Sequence, residues 1–204
     1  MLPCLLLLAL AQPVTGQEGF DSKVAWDPVS DEGGLKLERR TVAGSSSYEY
    51  RVTTRTAVPV ATLCETTFEW GTRGTDVPGL AQRKELASAP DERVVYDQFQ
   101  QTLVSSRDYA ITVKRWRDPD GVCRIRWWAT NAKAPKLLDG WVRIEKLWGG
   151  WTFTTREGQT LLVYTQFSDP GGSIPAAFAN GSQRDAAVHA VRAALAQGKA
   201  GAAR

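Results

Sequence analysis

The apolar positions change period along the chain, and the changes divide it into elements. "LKLERRTV" (Leu35 to Val42) and "YEYRVTTRTAV" (Tyr48 to Val58) alternate apolar or β-branched residues around the small polar turn "AGSSS", which predicts a hairpin. The period then lengthens: Val60, Leu63 and Cys64 stand at helical spacing behind Pro59, a residue suited to a first turn, so a helix is predicted over Val58 to Trp70. After a loop rich in Gly, Thr and Pro (Gly71 to Leu80) and a charged stretch, strands are predicted at Glu92 to Gln100, Tyr109 to Trp116, Val122 to Thr130, Gly140 to Trp148, Trp151 to Arg156 and Gln159 to Ser168. Turn signals at "DPDG" (Asp118 to Gly121), "WGG" (Trp148 to Gly150) and "REGQ" (Arg156 to Gln159) join them into an antiparallel meander.

Beyond "DPGGSIP" (Asp169 to Pro175) an alanine-rich run carries Val188, Val191 and Leu195 at intervals of three and four, which predicts a long terminal helix capped by Ser173 with Pro175 in its first turn. The tail from Gly198 to Arg204 is expected to be disordered. Residues 17 to 34, broken by Asp27-Pro28 and Gly33-Gly34, read as a short helix or docked arm anchored by Trp26 and followed by a turn.

The predicted class is α+β, a long twisted antiparallel sheet with a short helix inserted early and a long helix at the end. An apolar sheet face must be covered, and the terminal helix is the only predicted element long enough to do so. Its Ala176, Ala179, Ala186, Ala187, Ala190 and Ala194 supply little side-chain volume to fill a curved sheet, which points to a cavity; alanine is also the strongest helix former, which explains the same residues without one. The eight tryptophans are open to the same two accounts, walls of an internal space or solid core.

Strand alternation places Ile125, Trp127 and Ala129 on one face and Arg124, Arg126 and Trp128 on the other; in the preceding strand Tyr109, Ile111, Val113 and Arg115 alternate with Ala110, Thr112, Lys114 and Trp116. The arginines thus sit mostly opposite an apolar face, whereas a nucleic-acid platform sets aromatic and basic groups together on one open face. The net charge of +3, from 25 basic and 22 acidic residues scattered along the chain, argues in the same direction, so no nucleic-acid partner is expected.

Residues 1 to 16, "MLPCLLLLALAQPVTG", carry no charged side chain and contain the apolar run Leu5 to Leu10, too short to span a bilayer. They read as a secretory signal peptide cleaved after Gly16, giving a periplasmic or secreted protein; a buried N-terminal helix is the other account. Cys64 and Cys123 remain after cleavage, and an oxidising compartment would let them pair if the fold brings them together. Their spacing from the single histidine, His189, fits no zinc-binding pattern, and neither metal nor cofactor is expected. His189 itself reads as a surface or partly buried helix residue. No nucleophile elbow or glycine-rich phosphate loop is present. Asn180-Gly181-Ser182 matches a glycosylation acceptor inside the predicted helix and is read as chance.

The order of elements, together with "ERVVYDQFQQTLVSSRDYAI" (Glu92 to Ile111) and "VRIEKLWGGWTFTTREGQTLLVYTQFSDPGGSIPAAFAN" (Val142 to Asn180), resembles the START lipid-transfer domains of the helix-grip superfamily over roughly Trp26 to Ala196. The most specific pieces are Val95-Tyr96, the Ser106 to Tyr109 step and the Asp169 to Pro175 run before the helix. The resemblance implies a lipid-binding domain over residues 17 to 197, with a curved sheet gripping the terminal helix around a hydrophobic tunnel. Val94, Tyr96, Ile111, Val113, Ile125 and Trp127 would face that tunnel, joined by Phe178 and Val191 from the helix. Sterol-carrying members place an acid and a base at positions matching Val94 and Val113; both are valine here, against sterol recognition through that pair. Arg107 and Asp108 read as structural residues at a tight turn into a strand, their charges pairing with each other or capping backbone groups. The glycine-rich loop Asp169 to Ile174 is the expected gate.

The implied function is binding and transfer or sequestration of a lipid, sterol or isoprenoid by a monomer that touches membranes transiently, without catalysis. Two other classes are carried beside it. One is an enzyme of the aromatase/cyclase type, which would need acid–base groups in the cavity. The other is an exported interaction module using Trp148 and Trp151 at a hairpin tip.

Overall fold

In a computed structural model the described residues are 20, 22–74, 77, 79–100, 104–172 and 174–202. The segment read as a signal peptide and the cap Ser173 lie outside them. Among the described residues ten strands form one sheet: β1 (Asp27–Glu32), β2 (Leu35–Thr41), β3 (Tyr48–Thr56), β4 (Leu80–Ala89), β5 (Glu92–Phe99), β6 (Arg107–Arg117), β7 (Cys123–Ala129), β8 (Val142–Arg143), β9 (Leu147–Arg156) and β10 (Gln159–Ser168). Helix α1 (Val60–Arg73) follows β3, and α2 (Ala176–Ala202) ends the described chain. The strand order is β1-β2-β3-β10-β9-β7-β6-β5-β4, antiparallel throughout, with the two-residue β8 parallel to the start of β6. The sheet curves around α2, as the resemblance implied.

Several elements depart from the pattern-based expectation, each for a physical reason. The charged stretch after α1 is strand β4: it is an edge strand, mostly exposed and interrupted by two register shifts, so no apolar face marks it. "WGG" does not turn; Leu147 to Arg156 is one strand, because Gly149 and Gly150 let neighbours press onto its backbone. The strand expected at Gly140 to Trp148 shrinks to β8. The terminal helix continues past the expected boundary at 197, through Ala202, where a Cβ on Gly198 would stand 2.6 Å from Leu63 Cδ2 and one on Gly201 2.7 Å from Thr66. The small residues there let α2 press onto α1.

One apolar core joins both helices to the sheet, through Val52, Leu63, Phe68, Val95, Ile125, Phe153, Leu162 and Val191. Cys64 of α1 and Cys123 of β7 are joined by a disulfide across it. The opposite face of the sheet is partly clothed too. Arg126 lies over the Phe20 ring at 4.2 Å, and Trp26 is approached by Arg40 and Arg51, each at 4.4 Å. Beneath them Arg40 Nε meets the buried Glu49 carboxylate at 2.6 Å. The arginines of β7 are thus engaged on the outer face by aromatic rings and, for Arg124, by Asp118 at 2.7 Å.

Candidate functional site

Between the sheet and the two helices lies a cavity of about 860 Å³. Its sheet wall is built by residues that antiparallel pairing puts on one face. Val113 of β6 pairs with Trp127 of β7, Ile125 with Trp151 of β9, and Trp151 with Tyr164 of β10. The rings touch: the Trp151 and Tyr164 centroids are 4.2 Å apart, and those of Trp127 and Tyr164 5.8 Å. Thr67, Phe68 and Trp70 of α1 and Ala186, His189 and Ala190 of α2 form the opposite wall. Ala186 and Ala190 leave this space and Trp70, Trp127 and Trp151 line it, whereas Ala179, Ala187, Ala194 and Trp148 are buried away from it.

Four of the eight expected lining residues, Ile111, Val113, Ile125 and Trp127, are on the cavity. Val94 and Tyr96 are not. Their neighbours Val95 and Asp97 pair with Ile111 and Tyr109 and share the inner face, which turns Val94 and Tyr96 to the outer one. There Tyr96 donates to Asp108 at 2.7 Å. Phe178 is 65% exposed at the start of α2, and Val191 is fully buried in the core rather than on the cavity.

With Val94 turned outward, only Val113 of the two positions matched to the sterol carriers' acid and base is on the cavity. Asp97, on the inner face of β5, holds Arg83 of β4 through two contacts of 2.6 and 2.7 Å. Arg83 lines the cavity and also donates to the carbonyls of Gly71 and Gly74, closing the end of α1. Burial works against the Arg83 charge, and the Asp97 carboxylate overcomes it, so the guanidinium's pKa is raised. Burial, and then the Asp97 charge, push the neighbouring Tyr109 phenol well above its ordinary value. Burial does the same to Tyr164.

Arg107 and Asp108 do not pair with each other. As successive strand residues they point to opposite faces. Arg107 lines the cavity and donates to the carbonyls of Ser105 and Pro170, tying β6 to the glycine-rich loop before α2. Asp108 faces outward and accepts two bonds from Arg143 at 3.0 and 2.6 Å. His189, read from sequence as an ordinary helix residue, is half-buried and lines the cavity. Asn180 proves structural: it accepts from Tyr48 N at 2.8 Å and donates to Ser46 O at 3.0 Å, fastening α2 to β3. Trp148 and Trp151 are 5% and 4% exposed, so neither is a hairpin-tip anchor.

Comparison with known proteins agrees with this geometry. No family model matches the chain. An uncharacterized protein of Pseudomonas aeruginosa is 28% identical over 196 residues, covering 92% of this chain and 94% of the relative. Among solved structures, the STAR-related lipid transfer protein of Xanthomonas axonopodis matches with a TM-score of 0.73 at 24% identity, over 85% of this chain and 98% of that one. Human StAR-related lipid transfer protein 5 matches with a TM-score of 0.72 at 14% identity, over 90% of each chain. The chain therefore has the START-like, helix-grip α+β fold.

Proposed function

We propose that this protein binds one hydrophobic small molecule, a lipid, sterol or isoprenoid, inside the cavity and carries or sequesters it without chemical change. The observation that carries this reading is the cavity itself, of a size that suits a small-molecule site and walled chiefly by Ile111, Val113, Ile125, Trp127 and Trp151. Each ligand methylene moved there from water contributes about 0.8 kcal/mol, so a dozen outweigh the cost of ordering the ligand. The lipid-transfer names of the two structural neighbours support the same class.

A binding role is favoured over acid–base catalysis by the state of the one carboxylate a helix turn away from the histidine. Asp185 stands one turn from His189 on α2, but its side chain is 69% exposed and held by Arg184 at 2.9 Å. Export remains part of the proposal. The Cys64–Cys123 bond supports an oxidising compartment, in keeping with the apolar N-terminal segment.

Uptake of a fluorescent sterol and a fluorescent phospholipid from vesicles tests the reading, with Val113→Trp as the cavity-filling variant. The expected result is uptake by the parent and a drop of about tenfold or more in a folded variant, from side-chain volume placed where the ligand would lie. Equal uptake by both would refute the cavity as the binding site.

A further inference from the structure

Among the described residues four buried side-chain polar atoms have no hydrogen-bond partner, and three belong to residues lining the cavity: Thr67 Oγ1, Trp70 Nε1 and His189 Nε2. The fourth, Arg93 Nε, has the Glu85 carboxylate 3.5 Å away. Buried polar atoms are nearly always partnered, so three on residues that line one cavity, each closed off from that space in the ligand-free form, are a specific signal.

The two walls differ. On the sheet side the polar groups are satisfied: Tyr164 donates to Gln166 at 2.5 Å, Gln166 donates to Gln183 O at 2.9 Å, and Asp97 holds Arg83. On the helix side three are not, although Gln183 and Asp185 of α2 are held by Ser168 N and Arg184. Thr67 makes the contrast within α1 itself, because Thr66 and Thr72 donate back to the carbonyls four residues earlier at 2.8 and 2.7 Å. A threonine in a helix can satisfy itself that way, and Thr67 does not.

Resting on the carrier reading above, we infer that the ligand is an amphiphile whose compact oxygenated head, a hydroxyl or carboxyl group, docks on the helix wall at Thr67, Trp70 and His189. The donor inventory fits such a head. Indole N–H only donates, a threonine hydroxyl donates or accepts, and an imidazole nitrogen does one or the other by tautomer. An oxygen that accepts from Trp70 while exchanging a proton bond with Thr67 or His189 satisfies groups that a hydrocarbon would leave bare. The apolar body of the ligand then lies along the aromatic sheet wall.

The test compares oleyl alcohol, oleic acid and 1-octadecene as competitors of a fluorescent lipid on the full chain. At least one oxygenated probe is expected to bind about tenfold more tightly than the hydrocarbon. Thr67→Val and His189→Leu should each shrink that ratio by about threefold to tenfold, the range of one ordinary hydrogen bond. Thr67→Val keeps the shape and removes an unpaired group, so its ligand-free form should melt no lower than the parent, which separates lost recognition from lost folding. Whether the alcohol or the acid prevails identifies the head. Equal binding of all three probes, with a ratio unmoved by either variant, would overturn the inference and leave the carrier reading standing. Binding of none would remove the carrier reading and the inference with it.

Discussion

Trp127 packs so closely on Gly149 that a Cβ at 149 would stand 2.1 Å from the indole Cζ2 and 2.6 Å from the Thr165 carbonyl oxygen. The absent side chain on β9 is what lets the indole lie over the strand and shape the cavity wall. Gly149→Ala must displace the indole or the β9–β10 pairing. We expect a loss of about 1–3 kcal/mol of stability, read by denaturant unfolding, together with reduced lipid uptake. A variant as stable and as active as the parent would contradict this account of the wall.

The Cys64–Cys123 bond spans 59 residues and ties α1 to β7. By chain entropy a loop of that length contributes about 4 kcal/mol, with measured losses on removal of about 2–5 kcal/mol. Reduction, or Cys64→Ser with Cys123→Ser, should lower the unfolding free energy by that amount. A bound fluorescent probe lipid should dissociate faster, because α1 is one wall of the cavity.

Asp97 is completely buried, and Arg83 has 8% of its side chain exposed. Arg83→Met would strand a buried carboxylate and free the carbonyls of Gly71 and Gly74, a combination expected to cost about 3–5 kcal/mol. Replacing both members, Arg83→Met with Asp97→Leu, should recover much of the loss in thermal melts, since no uncompensated charge is left. If the double replacement is worse than the single one, the pair is worth more than its desolvation.

The phenols of Tyr109 and Tyr164 are both raised above the ordinary value of 10 by burial, Tyr109 with a further contribution from Asp97. The folded protein keeps these protons when the unfolded chain gives them up. Their contribution is therefore complete below pH 10 and is lost as pH climbs from there through the folded-state values. Stability should fall above pH 10, and Tyr109→Phe with Tyr164→Phe should flatten the fall. An ultraviolet titration showing all five tyrosines ionising near pH 10 in the folded protein would rule this out.

How far the sequence could be read depends on how each strand is covered. Alternation found the inner faces of β6 and β7 because Arg124, Arg126 and Lys114 mark the outer side. It failed on β5, where Val94, Val95, Tyr96 and Asp97 are all buried, so that exposure marks neither side; on the outer face Tyr96 is bonded to Asp108, which Arg143 holds in turn. With both faces buried the apolar run carries no register, and only the pairing of Val95 with Ile111 fixes it. Edge strand β4 had no apolar face to read, and with it went the Arg83–Asp97 pair. His189, Thr67 and Trp70 were missed for another reason: each is unremarkable on its own helix, and only the meeting of α1 and α2 on one cavity gives them a common setting. A threonine and a tryptophan three apart in α1 were the one available signal.

The central claim is that a ligand occupies the space between the sheet and the helices, and native mass spectrometry of protein purified from cells tests it most directly. The account predicts a protein mass accompanied by one stoichiometric amphiphile that disappears on denaturation and is recovered by organic extraction, and a loss of that adduct in Val113→Trp. A bare protein mass, together with no binding of the oxygenated or hydrocarbon probes, would contradict it.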